Sequence, residues 1–434
     1  MLGEASIEYG ESVGSGCNTL HTNFFLRGIC QSALGQAAED SSHCAARADL
    51  MQFPSLSRKA ARVVTTVDAT DVFVIGGGPA GLAAAIAASQ NGFRAIVADG
   101  SAPPIDKPCG EGLLAETQAA LRDLGVSADD LAGYPIRGIR FMQRDDQVAG
   151  VFPKGSGIGI RRTILHEILV KRARNCGVQF LWNTPVSGIS QRGVHTSRGL
   201  VDAKWIVGAD GSGSRVRRWS GLDANHARSL RHATRRHYRV TPWTEFVEIY
   251  WGQRCQAYVT PLSSQEVCIV LTAGNAREAD FGVALQNWPQ LQERLAGAEL
   301  SSRERGAVTF MHRLNHVVNG NVALLGDSSG GVDAITGEGL RLCFRQAVAL
   351  ADAMETGDLR VYERAHKKLM LRPAFMGKLL LVLAGNDMLR ERAIRSMAAK
   401  PEIFDQLLAF YIGHSTTAGV IPAGLLLGWR FLAT

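Results

Sequence analysis

The sequence predicts an α/β fold: a parallel sheet layered with helices, a second mixed β-sheet inserted into it, and a helical C-terminal tail. Three observations carry this. Residues 71–75 (DVFVI) and 94–98 (RAIVA) are short apolar runs rich in β-branched residues, separated by an Ala-rich helical stretch at 79–91. Strand, helix, strand in that order makes a crossover unit with parallel pairing. Between about 225 and 310 the pattern turns to alternating strands, and after Leu359 it becomes helical, apolar and basic.

A chain of 434 residues exceeds what a single core usually supports, which points to two lobes or one enlarged α/β domain. With 46% hydrophobic and 20% charged residues the composition is that of an ordinary globular protein. The net charge of +7 suits an anionic ligand or an anionic membrane face. Nucleic acid is not an expected partner: the densest basic stretch, 228–239 (RSLRHATRRHYR), reads as a solvated strand or loop, with no zinc-finger or RNP pattern beside it. Eight scattered cysteines without a CxxC pair argue against a zinc site or a disulfide framework and fit a reducing cytoplasm. His312 and His316 stand four apart without an acidic cluster, so no metal is expected. The opening residues MLGEASIEYGE lack the pattern of a secretory signal. The longest apolar runs, 379–383 and 418–429, fall short of the roughly 20 residues a membrane-spanning helix needs.

Taken in order, residues 1–66 show no sustained period and read as a disordered leader. Helices are predicted over 113–124 and over 163–176, the latter closed by Gly177, with strands at 178–182 and 204–207. Further strands follow at 245–251, 256–260 and 267–272, then a buried strand at 322–325 and a helix at 340–354. The implied organisation is a discontinuous cofactor-binding domain (67–225 and 311–358), a substrate domain (226–310 with part of 135–155) and a helical region (359–434).

The chemistry begins at Gly76-Gly77-Gly78-Pro79-Ala80-Gly81, between the first strand and the first helix. In such a Rossmann-like loop Gly76 permits the tight turn, Gly78 lets backbone approach a pyrophosphate, and Gly81 lets helix and strand pack closely, with Ala80 between them. The helix start offers free N–H groups and the positive end of its dipole. Asp99 ends the second strand 18 residues past Gly81, where an acid can bind the ribose hydroxyls of an adenosine. That loop alone fits NAD or FAD.

Two later segments decide between them. Gly208-Ala209-Asp210-Gly211-Ser212-Gly213-Ser214-Arg215 follows one buried strand; Gly326-Asp327 follows another and leads to Gly337-Glu338-Gly339 at a helix start. Here the chain resembles the flavoprotein superfamily that includes p-hydroxybenzoate hydroxylase-like (group A) monooxygenases and geranylgeranyl reductases, over about residues 70 to 355. The resemblance implies FAD, expected to be non-covalent because no His or Cys sits in a recognised flavinylation context. It implies that Asp327 binds a ribityl hydroxyl, that Asp210 and Gly211 lie beside the pyrophosphate, and that Gly337 and Gly339 face the pyrimidine ring. Arg162 matches an Arg-x-x-Leu element touching the phosphates or ribityl chain; its alternative is a surface salt-bridge arginine. Lys107-Pro108-Cys109-Gly110-Glu111-Gly112 resembles the Pro-x-Cys-Gly-Gly segment of geranylgeranyl reductases beside the flavin ring, with Glu111 standing where that family has glycine. Cys109 and Glu111 are the catalytic candidates; for Cys109 the alternative is a small residue packed in a tight turn.

The aromatic motif of the geranylgeranyl reductases is missing, as is the Trp-x-Trp-x-Ile-Pro of flavin-dependent halogenases. The expectation is therefore an FAD-dependent, NAD(P)H-using monooxygenase acting on a hydrophobic or aromatic small molecule. No second GxGxxG is visible, so the nicotinamide is expected to bind only transiently. The rivals are an ene-reductase of isoprenoid or polyunsaturated chains and a non-redox cyclase or binding module that retains FAD. A cytoplasmic protein with weak peripheral membrane contact through its C-terminal region completes the expectation.

Overall fold

In a computed structural model, residues 67–223, 227–312 and 314–415 can be described. The leader at 1–66 and the apolar stretch at 418–429 lie outside them. At the centre of the first sheet is strand Val67–Ile75, parallel to Gly199–Gly208 on one side and to Ala95–Ala98 on the other. Val322–Leu324 and Gln179–Leu181 extend the parallel sheet at either end. Val72, Phe73 and Val74 are fully buried, as the apolar run at 71–75 requires of a strand covered on both faces. Helix Pro79–Gln90 has no wet face over Leu82–Ala88, because it lies between this sheet and helix Gly339–Thr356. Pro at its first turn lacks only an N–H that would be unpaired anyway.

The predicted elements are present with shifted bounds. Helix 163–176 is Arg162–Asn175; helix 113–124 is Ala115–Asp123 behind a two-residue strand, Gly112–Leu113; strand 204–207 is the longer Gly199–Gly208.

The second sheet is mixed. Its order is Glu299–Leu300, Ala227–Arg239, Glu266–Ala273, Cys255–Ser263, Phe246–Trp251, Gly138–Gln143 and Asp146–Val151, with Arg305–His312 also on Ala227–Arg239. Only the Phe246–Trp251 and Gly138–Gln143 pairing within it is parallel. One face is apolar: Ala257, Val259, Ile269 and Leu271 pack with Phe281, Trp288 and Leu291. On the alternate positions stand Gln256, Tyr258, Thr260, Cys268 and Thr272, all buried. Polar side chains buried on one sheet face need partners, and those partners build the site.

Helix Arg360–Gly385 turns by 113° into Asp387–Ala399, and Pro401–Ile412 follows. Phe404, Leu408 and Ile412 share a core with Ile139 and Trp251 of the second sheet, while buried Tyr362 donates to the Leu324 carbonyl of the first at 2.8 Å. The described part of the C-terminal region is thus a helical cap. Among the described residues no single helix is long and apolar enough to cross a membrane.

Candidate flavin site

The glycine loop has the shape its sequence demands. Gly76 sits at φ +113°, and a Cβ there would lie 2.4 Å from the Ala209 carbonyl oxygen; one on Gly81 would lie 1.8 Å from the Gly76 oxygen. A Cβ on Gly78 would meet nothing within 4 Å. The first two glycines therefore serve close packing, and the third leaves space in front of the helix start, as a pyrophosphate requires.

The three motifs converge. Gly326, at φ +64°, packs against Ala80, where a Cβ would come within 2.8 Å of the alanine methyl. Buried Arg217 donates to the carbonyls of Ser212 (2.9 Å) and Ser328 (3.2 Å), tying the second motif to the third. Burial and then Asp327 push the Cys343 thiol up, with Arg162 and Cys109 also near enough to act on it. Asp327 is exposed; its backbone carbonyl accepts from Gly330 N, but its carboxylate makes no hydrogen bond among the described residues, which leaves it available to a ribityl hydroxyl.

Other candidates stand differently. The Asp210 carboxylate accepts from Ser214 Oγ (2.5 Å) and from the backbone N–H groups of Arg215 (2.7 Å) and Val216 (3.2 Å). It caps a short helix and shapes the loop at Gly211. Both Asp99 oxygens take backbone donors, Gly77 N and Ser101 N, each at 2.8 Å. Arg162 does not form a surface ion pair among the described residues: its Nε is buried without a partner. One turn on, fully buried His166 meets the Gly77 oxygen through Nε2 at 2.8 Å, leaving Nδ1 without a partner. Burial lowers its pKa, which favours the neutral ring. Sequence reasoning missed His166, although its i, i+4 spacing from Arg162 puts both on one helix face. Gly337 takes the left-handed conformation and Gly339 opens its helix. Between them Glu338 is buried with Oε2 unpartnered, and burial pushes it up to about 7 against the attraction of Arg341.

The Cys109 loop is pinned to the polar face of the second sheet. Thr260 Oγ1 donates to the Gly110 oxygen at 2.7 Å, and the Cys268 thiol to the Cys109 oxygen at 3.6 Å. Glu111 holds φ +57°, which explains why the related family has glycine here. Its buried carboxylate accepts from Arg162 N (2.9 Å) and Arg235 Nη1 (3.2 Å) and meets His237 Nε2 at 2.7 Å. Arg235 also grips Asp106 with two bonds of 2.8 Å. The expectation of a solvated strand at 228–239 is thus corrected: Arg235 and His237 are each 2% exposed, because the alternation of the strand turns them toward the loop. Glu111, His237 and Cys268 also bring ligand atoms within 4.8 Å of one another. Arg235 already supplies positive charge to that carboxylate.

The unpartnered nitrogens of Arg162 and His166, the space at Gly78 and the free Asp327 fit FAD. The chain belongs to the FAD-binding domain family, which matches residues 69–356, and is an FAD-dependent oxidoreductase of the group A monooxygenase and geranylgeranyl reductase superfamily. It is 27% identical over 320 residues to a menaquinone reductase of Mycobacterium tuberculosis, covering 67% of this chain and 78% of that one. It is also 27% identical to digeranylgeranylglycerophospholipid reductase 1 of Methanopyrus kandleri, over 66% and 82% of the two chains. A 3-(3-hydroxy-phenyl)propionate/3-hydroxycinnamic acid hydroxylase of Mycobacterium avium is 28% identical over 35% of this chain and 31% of its own. In fold, the chain is similar to a flavoprotein/dehydrogenase from Cytophaga hutchinsonii (TM-score 0.72, 16% identity, 85% and 100% covered). A geranylgeranyl bacteriochlorophyll reductase-like protein from Thermoplasma acidophilum gives a TM-score of 0.64 at 17% identity, with 82% and 96% covered.

Proposed function

We propose that this chain is an FAD-dependent reductase of carbon–carbon double bonds in a lipid-borne isoprenoid chain, with NAD(P)H as transient reductant. The reading rests on the extent of the likeness to reductases. A match spanning 67% of the chain has to run through strands 246–273 of the second sheet, over the cofactor frame, where substrate choice resides. The sequence expectation placed monooxygenation first; the reductase now takes that place.

Bound FAD would supply the hydride. The glycine loop, Arg162 and Asp327 would hold and orient it, and the helix start at Gly339 would offer positive dipole to the reducible ring. The second sheet, with Tyr258 and Val270 buried beside Cys268, keeps water from the reacting carbons. Cys109, on the loop clamped to that sheet, holds at Sγ the proton that the second carbon of the double bond must receive.

Anaerobic incubation with NAD(P)H and a polyprenylated quinone or ether lipid tests this. The product should gain the mass of two hydrogens per reduced bond, and Cys109→Ser should lower turnover while keeping bound FAD. The hydroxylase relative favours a second reading, monooxygenation. Oxygen uptake with a product heavier by one oxygen would establish that instead.

A further inference from the structure

Among the described residues of the C-terminal region, the most exposed large apolar side chains fall on one helix and the start of the next. Leu371 (71% exposed), Phe375 (56%), Leu379 (36%) and Val382 (55%) are spaced by four, four and three residues along Arg360–Gly385, and Met388 (64%) opens the following helix. That spacing places the first four on one face, a stripe about 17 Å long. Single exposed apolar residues need no explanation, whereas a continuous stripe marks a contact surface.

The same face is basic, with Arg364 and Lys368 before the stripe and Lys378 within it. Arg364, Lys368 and Lys378 are exposed and form no ion pair among the described residues; Lys367 is paired with Glu363 at 2.8 Å. A row of free cations leading into an apolar stripe complements a surface of anionic headgroups over hydrocarbon.

Behind this helix lies a cavity of about 430 Å³, large enough for a small-molecule ligand. Leu381, Ala384 and Gly385 of the same helix form one wall, and Arg231, Cys255 and Gln256 of the second sheet another. Arg231 pairs with Asp333 at 3.1 Å, on the loop that runs to Gly337. One helix thus separates the exposed stripe from a cavity whose Arg231 is paired with the loop leading to Gly337.

We infer that the exposed face of Arg360–Gly385 docks the enzyme on an anionic lipid bilayer, so that an isoprenoid chain passes from the bilayer around the Val382–Met388 end into the cavity. The passage of substrate rests on the proposed reductase activity; the docking does not.

Flotation of the full chain with phosphatidylcholine vesicles, with and without phosphatidylglycerol, tests the docking. The protein should float with the anionic vesicles at low ionic strength. Leu371→Glu with Val382→Glu should abolish flotation, and Lys368→Ala with Lys378→Ala should weaken it about tenfold or more. Unchanged FAD content and melting temperature show that the variants are folded. The inference is overturned if the double-Glu variant floats like the parent, or if only removal of residues 416–434 abolishes binding. It is equally overturned if the Glu pair merely turns an oligomer into a monomer without altering flotation. Failure of the parent chain to float, with prenyl reduction retained in detergent, discards only the docking; flotation of the parent without reduction discards only the reductase.

Discussion

Oε2 of Glu111 lies 2.7 Å from Nε2 of His237, although 126 residues separate them in sequence. The contact joins the Cys109 loop to the second sheet and holds a non-glycine residue in a left-handed conformation. Two opposed effects therefore meet at Glu111. Glu111→Gly should relieve backbone strain of about 1–2 kcal/mol but lose charge-assisted bonds of about 1.5–3 kcal/mol each. Net destabilisation of at least about 2 kcal/mol is expected from denaturant unfolding. Glu111→Ala should be worse than Glu111→Gly by about 1 kcal/mol, because it loses the bonds and keeps the strain. Equal stability of the two variants would show that the backbone relaxes.

Gly78→Val should fold and remain colourless. Nothing lies within 4 Å of a Cβ there, so the side chain conflicts only with a pyrophosphate. Gly81→Val, facing backbone at 1.8 Å, should fail to fold. Circular dichroism and FAD released on heating separate the two outcomes, and stoichiometric FAD in Gly78→Val would refute the loop assignment.

Asp327→Ala should weaken FAD binding by about 1–3 kcal/mol. The carboxylate is exposed and unbonded among the described residues, so the melting temperature of the apoprotein should stay the same. A drop in apoprotein stability would give Asp327 a structural role instead.

Glu338 and His366 should drive stability in opposite directions over acidic pH. Glu338 is raised from 4.5 to about 7 by burial. The folded state therefore binds the extra proton, and stability falls as pH rises from about 4.5 to 7. His366 is lowered from 6.5 to about 4, again by burial, so its contribution is present above 6.5 and is lost as pH falls toward 4. The stability gap between the parent apoprotein and Glu338→Gln should move by up to about 3 kcal/mol against the parent from pH 4 to 8. A gap independent of pH would mean that Arg341 offsets the burial and leaves Glu338 titrating as it does in the unfolded chain.

A chain beginning at Arg62 should bind FAD as tightly as the full one, because the first strand starts at Val67. FAD titration of both checks this. Weaker binding would make residues 1–61 part of the fold.

What the sequence determined by itself is the cofactor frame. Its determinants are local: the buried strand at 71–75, the glycines at 76, 78 and 81, and Gly326 beside Asp327 all act within a few residues of chain, so spacing reveals them. The resemblance added FAD to that frame. Only the tertiary structure decided how the Cys109 loop is held, because Asp106, Glu111, Arg235, His237 and Cys268 come from a loop and two strands, and no spacing rule brings them together. The stretch 228–239 looked solvated because its charges were read as a run. Their period of two was the available signal, and it turns Arg231, Arg235 and His237 to one face of the strand. Asp210 and Asp99 show the converse limit: a motif names the residue, but the hydrogen bonds that occupy its carboxylate form only once the loops around it have packed.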